Sequence, residues 1–373
     1  MVGGNNLILY PLVRYVRKNF QWFITPQDEL PAIDKKGLEK FLKHGFDPEL
    51  GWIRHPGTSK KKEHYEINKK GARMNPTHEH LPITISSYGD SFCFCRQNND
   101  METWQWYLSK MTKTNVQNFG VGNYGLDQAF MRLKREYSKN QTKVVIMAVV
   151  PSTIVRILCV WKHYNEYGNT LGFKPRYKVI DGELKEIKNI IDSKEKFNEL
   201  EKYLSFIKEH DYFYKTKFKK EMIKFPYIYY ILKNWRRNLP LIYYVLKGNK
   251  KKAMAKIHES NLKLRVDLFR KSEPIMLFQA IVKIFVQYAK ENNFKPILLI
   301  IPQKDDVEYM KKHGNYYWEV LRFLKGDLKI IDMYQTFKIE NLDYLYSDND
   351  KYGGHPNKTA NEMIAKRLEK YVK

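Results

Sequence analysis

Five short strand-like runs, the third and fourth almost uninterruptedly apolar, constrain this chain more than any other feature. They are LPITISSYG (81–89), TNVQNFG (114–120), TKVVIMAVV (142–150), KPILLIIP (295–302) and DLKIIDM (327–333). A strand that alternates apolar with polar residues keeps one wet face, whereas one that is apolar throughout is covered on both, as parallel strands between helices are. Helical patterns separate the runs. DMETWQWYLSKMT reads as a helix capped by Asp100, and GLDQAFMRLKREYSK puts Leu126, Phe130, Leu133 and Tyr137 on one face. Ala360, Met363, Ile364 and Leu368 mark a last helix in the same way. Strand and helix in alternation predict a doubly wound α/β core, with its reactive groups on loops at the carboxyl ends of the strands.

The alternation is interrupted between the third and fourth runs. Residues 176–280 show no strand-like run and read as helices broken at Pro226, Pro240 and Gly248, rich in lysine and aromatic residues. The expected organisation is therefore an N-terminal extension over 1–80, a core formed by 81–175 and 281–373, and a helical insertion over 176–280. Lys and Arg number 66 against 41 Asp and Glu, a formal charge of +25. That field suits an acidic partner, a polyanion or an anionic membrane surface, held by the basic, aromatic insertion. No nucleic-acid module is recognisable, so nucleic acid is the weakest of these partners.

Cys93, Cys95 and Cys159 are too few for a disulfide framework and read as small buried side chains in a reducing compartment. The opening MVGGNNLILYPLVRYVRKNF has its basic residues after its short apolar run, unlike a secretory signal, and Pro151 and Arg156 interrupt the most apolar later segment. A cytoplasmic chain, peripheral at a membrane if it meets one, is expected. The N-terminal stretch reads first as a helix packed on its own protein and second as one lying on a bilayer.

Three segments carry chemistry. ITISSYGDS is a strand running into a tight turn, with Gly89 at the turn and the Ser91 hydroxyl beside free backbone N–H groups. NFGVGNYGLDQ ends a second strand with Gly120, Gly122 and Gly125 before a helix. Its G-x-G-x-x-G spacing matches a dinucleotide fingerprint, yet no acidic residue ends the following strand, which runs into Val149-Val150-Pro151. Near the C-terminus, SDNDKYGGHPNK places His355 in the loop before the last helix. A serine hydroxyl is a poor nucleophile until a base takes its proton, so these segments form one constellation if the fold unites them.

In this order the segments resemble the blocks of the SGNH, or GDSL, hydrolase family. Gly89-Asp90-Ser91 resembles the nucleophile block, NFGVGNYG the glycine-bearing block and GGHPN the histidine block, over roughly 81–155 and 290–373. The resemblance implies a three-layer α/β/α sandwich with a five-stranded parallel sheet, flavodoxin-like, and ester hydrolysis or acyl transfer through an acyl-serine without metal or cofactor. It makes Ser91 the nucleophile and His355 the base. The amides of Ser91, Asn123 and Gly120 become oxyanion donors, Asn123 standing where the family has glycine. The family's acid, three residues before the histidine, is here Tyr352, which leaves Asp350 or Asp348 to orient His355, or a Ser–His dyad. The Gly-x-Asn-Asp block is absent after the third strand.

FDPELGWIRHP and INKKGAR resemble a segment preceding the serine block in SGNH-type proteins of bacterial surface-polysaccharide gene clusters. This implies an acyl group, O-acetyl above all, on a glycan as substrate. Asp90, Arg156 and His163 are the candidate pocket residues, with Arg176 beside them. The rival expectation is a catalytically degenerate SGNH-fold protein that binds an anionic polysaccharide or membrane through its insertion.

Overall fold

All five apolar runs form strands, and they lie in one parallel sheet: β1 (Ile83–Gly89), β2 (Asn115–Asn118), β3 (Val144–Val149), β4 (Lys295–Ile300) and β5 (Lys329–Asp332). The computed structural model describes residues 4–19, 30–60, 65–324, 326, 328–347 and 354–372. The chain divides into two units. One comprises Met1–Trp52, Leu158–Arg176 and Ile187–Leu264; the other, which carries the sheet, comprises Ile53–Ile157, Tyr177–Glu186 and Arg265–Lys373.

In the sheet unit the spatial order is β5-β4-β3-β1-β2. The central strand β3 pairs with β1 and β4 and is buried at every position, which suits its Val- and Ile-rich sequence. The first connection runs from β1 outward to β2, and the next returns past β1 to β3. Right-handed crossovers then put the helices of these two connections on opposite faces. They are α2 (Trp104–Thr112), and α3 (Leu126–Glu136), which follows β2. α3 packs against β1, β3 and α4 (Ser272–Glu291), with Phe130 edge-on to Phe285. α2 packs against β2 and the last helix, Lys358–Val372. The result is a three-layer α/β fold with the flavodoxin-like strand order, whose ligand crevice lies where the connections from β1 and β3 diverge.

Some local expectations are corrected. The α2 cap is Thr103, whose hydroxyl accepts from Trp106 N at 3.1 Å, whereas Asp100 pairs with Arg73 instead. The 176–280 stretch does contain strands: Arg176–Ile180 and Glu183–Ile187 pair across Asp181-Gly182, both with positive φ, a two-residue hairpin turn of the Asp-Gly kind.

The second unit is mainly helical. Pro226 precedes the helix Tyr227–Lys233 as expected, but Pro240 lies within the helix Trp235–Leu246, which gives up one backbone hydrogen bond to keep it. The N-terminal helix Gly4–Asn19 buries Val13 and Val16 in a cluster with Ile223, Tyr227, Ile231 and Leu241, so it packs on its own protein. No helix among the described residues is long and apolar enough to cross a membrane.

Candidate active site

β1 ends at Gly89, Asp90 caps the short helix Ser91–Phe94 (α1), and Ser91 stands at the carboxyl edge of the sheet beside the crevice. A Cβ on Gly89 would fall 1.8 Å from the Ala148 carbonyl oxygen, so β1 and β3 approach there at a distance only glycine permits. Asp90, with no exposed surface, is wholly occupied. One carboxylate oxygen accepts from Phe92 N at 2.8 Å; the other accepts from Val150 N and from Arg156 Nη1, both at 3.0 Å. Arg156 also donates to the Tyr124 carbonyl. The expectation that Asp90 lines a substrate pocket is thereby corrected: its carboxylate ties the nucleophile turn to the end of β3, and Arg156 carries that tie on to the glycine loop.

The glycine loop continues β2 along the end of β1, with Phe119 N donating to Ser87 O and Val121 N to Gly89 O. A Cβ on Gly122 would lie 4.0 Å from Ser91 Cβ, so this turn is seated against the nucleophile. Asn123 is exposed and left-handed at φ 68, a conformation asparagine tolerates better than most residues. Gly120 differs from the expectation. Its N–H donates to the Asn118 side chain at 3.0 Å, and a Cβ there would meet Phe94 N at 2.4 Å. Glycine is required at 120 by the close approach of α1, and its amide is already engaged.

His355 reaches this edge from the far side of the sheet. After β5 the chain passes over the end of β4, where Tyr346 Oη donates to Pro302 O, and Ser347 N then donates to the His355 carbonyl. Asn98, just beyond α1, donates to Pro356 O at 2.9 Å and joins the histidine loop to the nucleophile turn. The imidazole lies 4.5 Å from the Phe92 ring, centroid to centroid, and its Nε2 is 2.9 Å from Ser91 Oγ, across 264 residues of sequence. Both side chains are nearly buried, Ser91 at 5% and His355 at 4% exposure. With the imidazole proton on Nδ1, the serine hydroxyl donates to Nε2, which is the arrangement general-base activation needs. Asp350, Asp348 and Tyr352 lie outside the described residues.

Behind the serine is a buried polar frame that no sequence pattern announced. Arg73 donates to the carbonyls of Phe94, Cys95 and Asn98 at 2.6, 2.8 and 2.6 Å, satisfying the carboxyl end of α1. Its Nε donates to Asp100, whose carboxyl is nonetheless pushed up by burial. Arg132 holds Phe119 O and Gly71 O, while Gln105 and Asn118 donate to Cys93 O. Arg73 ends the INKKGAR segment, whose resemblance gave it no role of its own, and Arg132 sits on a helix whose apolar face is legible without it. Cys93 and Cys95 are buried as expected; burial pushes Cys93 well up and Cys95 up to about 12, which leaves both thiols uncharged.

The remaining candidates lie in the helical unit. His163 is 1% exposed, packs at a tilt against Trp161 and Phe218, and accepts from Gly168 N at Nδ1. It fills an aromatic core there and does not line an open pocket, which corrects that expectation. Arg176 donates to Leu158 O and His210 O, tying a loop to a helix end. Among the described residues no cluster of His, Cys, Asp and Glu could hold a metal ion.

Fold and site together define an α/β protein of flavodoxin-like strand order with a hydrogen-bonded Ser–His pair at the carboxyl edge of its sheet. No protein-family model matches the chain, and none of the curated proteins does. Among solved structures it is similar to a protein assigned to the G-D-S-L lipolytic family from Desulfitobacterium hafniense DCB-2, at 12% identity and a TM-score of 0.36, over 77% of this chain and 98% of that one. It is also similar to an acetyl xylan esterase from the rumen bacterium Butyrivibrio proteoclasticus, at 11% identity and a TM-score of 0.29, over 81% of this chain and 65% of that one. Likenesses this distant carry no residue assignment, so the chemistry rests on the site's own geometry.

Proposed function

We propose that the chain is a serine-dependent ester hydrolase or acyltransferase of SGNH type. The observation that carries this is the 2.9 Å contact between His355 Nε2 and Ser91 Oγ, made at the crevice of the sheet. His355 takes the hydroxyl proton as Ser91 Oγ bonds to the ester carbonyl carbon. The carbonyl electron pair moves onto oxygen, which the Ser91 and Asn123 amides receive; losing one such donor raises a barrier by ~2.7–4 kcal/mol. The intermediate then collapses, His355 returns the proton to the departing alkoxide, and an acyl-serine remains. Water, or a hydroxyl of an acceptor, attacks that ester through the same imidazole. Asp350 orients the ring in this scheme.

The substrate reading is an O-acyl group, O-acetyl above all, on a glycan, supported by the resemblance of residues 46–56 and 67–73 to the polysaccharide-cluster proteins. An anionic partner is the second part of the reading, supported by the net charge of +25. The test compares the natural protein with Ser91→Ala and His355→Ala on a chromogenic acetyl ester and with a fluorophosphonate probe. Hydrolysis and labelling are expected from the natural protein alone. Equal signals from all of them would leave Ser91 idle and favour a binding protein with a degenerate site.

A further inference from the structure

The helical unit presents an apolar face that its own core does not use. In the helix Trp235–Leu246, Leu241 and Val245 point into the cluster that also holds Val13 and Ile231. Trp235, Leu239, Tyr243 and Leu246 recur at spacings of four, four and three on another side and are 53, 43, 56 and 54% exposed. The preceding helix repeats the pattern: Tyr227 and Ile231 are buried, while Ile228, Tyr229 and Leu232 are exposed. A soluble helix normally needs one apolar stripe, and a second one, repeated on two successive helices, marks a surface that meets something apolar.

The charges beside it say what that is. Lys233, Arg236 and Lys247 are exposed next to the stripe, and from Met222 to His258 the chain contains no Asp or Glu. The helix Gly4–Asn19, packed on the same cluster, has none either. A second copy docking by two-fold symmetry would set these cations against themselves. A soluble polyanion would satisfy the cations but gain nothing from Leu232, Leu239 and Leu246. Aromatic and aliphatic side chains ringed by Lys and Arg match the boundary of an anionic bilayer, where apolar groups enter the acyl region and cations meet headgroups.

We infer that the face formed by the helices Tyr227–Lys233 and Trp235–Leu246 docks the protein on the surface of an anionic membrane. It lies on the bilayer and does not span it, and the inference is independent of the ester chemistry.

The experiment is co-sedimentation of the full chain with vesicles of phosphatidylcholine alone and of phosphatidylcholine mixed two to one with phosphatidylglycerol. The natural protein is expected to partition onto the mixed vesicles. A Trp235→Ser/Leu239→Ser/Leu246→Ser variant should lose about tenfold or more of that partitioning, since each removed side chain subtracts apolar area from the bilayer contact. A Lys233→Gln/Arg236→Gln/Lys247→Gln variant should lose its preference for the anionic vesicles. All of these side chains point outward, so circular dichroism and chromogenic-ester hydrolysis should be unchanged, which separates failure here from failure of the esterase reading. Natural protein left in the supernatant, or a stripe variant that binds as well as the natural protein, overturns the inference. So does a concentration-dependent dimer abolished by the stripe variant, because a second copy would then own the face.

Discussion

Asp90 offers the sharpest test of how the nucleophile is held. Asp90→Asn preserves shape but replaces one acceptor oxygen with a donor. If the amide oxygen keeps the Phe92 N–H, its NH2 must face Val150 N and Arg156 Nη1, each 3.0 Å from the oxygen it replaces. The other rotamer gives up the cap instead. Hydrogen bonds to a charged group are each worth about 1.5–3 kcal/mol. Removing one partner of a buried ion pair costs ~3–5 kcal/mol, and Arg156 is 14% exposed, so the lower end of that range applies. A loss near 3 kcal/mol corresponds to a fall in Tm of roughly 4 °C for a chain of 373 residues that unfolds as one. Differential scanning fluorimetry and urea unfolding measure it, and steady-state hydrolysis of the chromogenic ester runs beside them. The expected result is a large loss of stability accompanied by a lower kcat, because Ser91 is the next residue. A variant as stable as the natural protein, with only KM raised, would sink this reasoning and return Asp90 to the substrate.

Further outcomes follow from neighbouring residues. Asp350→Asn should lower kcat by up to ~10⁴-fold with KM nearly unchanged if that carboxylate orients the imidazole; an unaltered kcat would exclude Asp350, and an unaltered kcat in Asp348→Asn/Asp350→Asn as well would identify a Ser–His dyad. The three thiols, all buried and with pKa values pushed up by burial, should resist a disulfide reagent at pH 8 in the folded protein and react fully in guanidinium; rapid labelling of the folded protein would contradict their placement. Gly120→Ala would set a methyl 2.4 Å from Phe94 N, against backbone that cannot swing aside, so expression or Tm should drop sharply even though no oxyanion donor is removed.

What was readable before folding follows from periodicity. A short apolar run between helical patterns reads as a buried strand, so the five sheet strands and the faces of α2 and α3 were legible as elements. Boundaries were softer, because a cap depends on which nearby side chain reaches the free N–H groups. Thr103 does so, while Asp100 is drawn away by Arg73. The hairpin at Asp181-Gly182 escaped the sequence reading, because its polar strands bury little and left no apolar run to see. Pro240 shows the reverse: a strong local breaker overruled because Leu241 and Val245, in the turns that follow it, are buried in the helical cluster.

The sequence by itself thus determined the layers, the strand set, and that Ser91 and His355 each lie close before or at the start of a helix, because those properties depend on spacing along a few turns of chain. Only the tertiary structure decided which groups meet. It set an imidazole 2.9 Å from a hydroxyl 264 residues away, enclosed Asp90, engaged the Gly120 amide, and made Arg73 the partner of α1's last carbonyls. Those outcomes have no local signal, since a buried polar group takes whichever partner the packed chain brings within reach, and burial is what makes leaving it alone too costly.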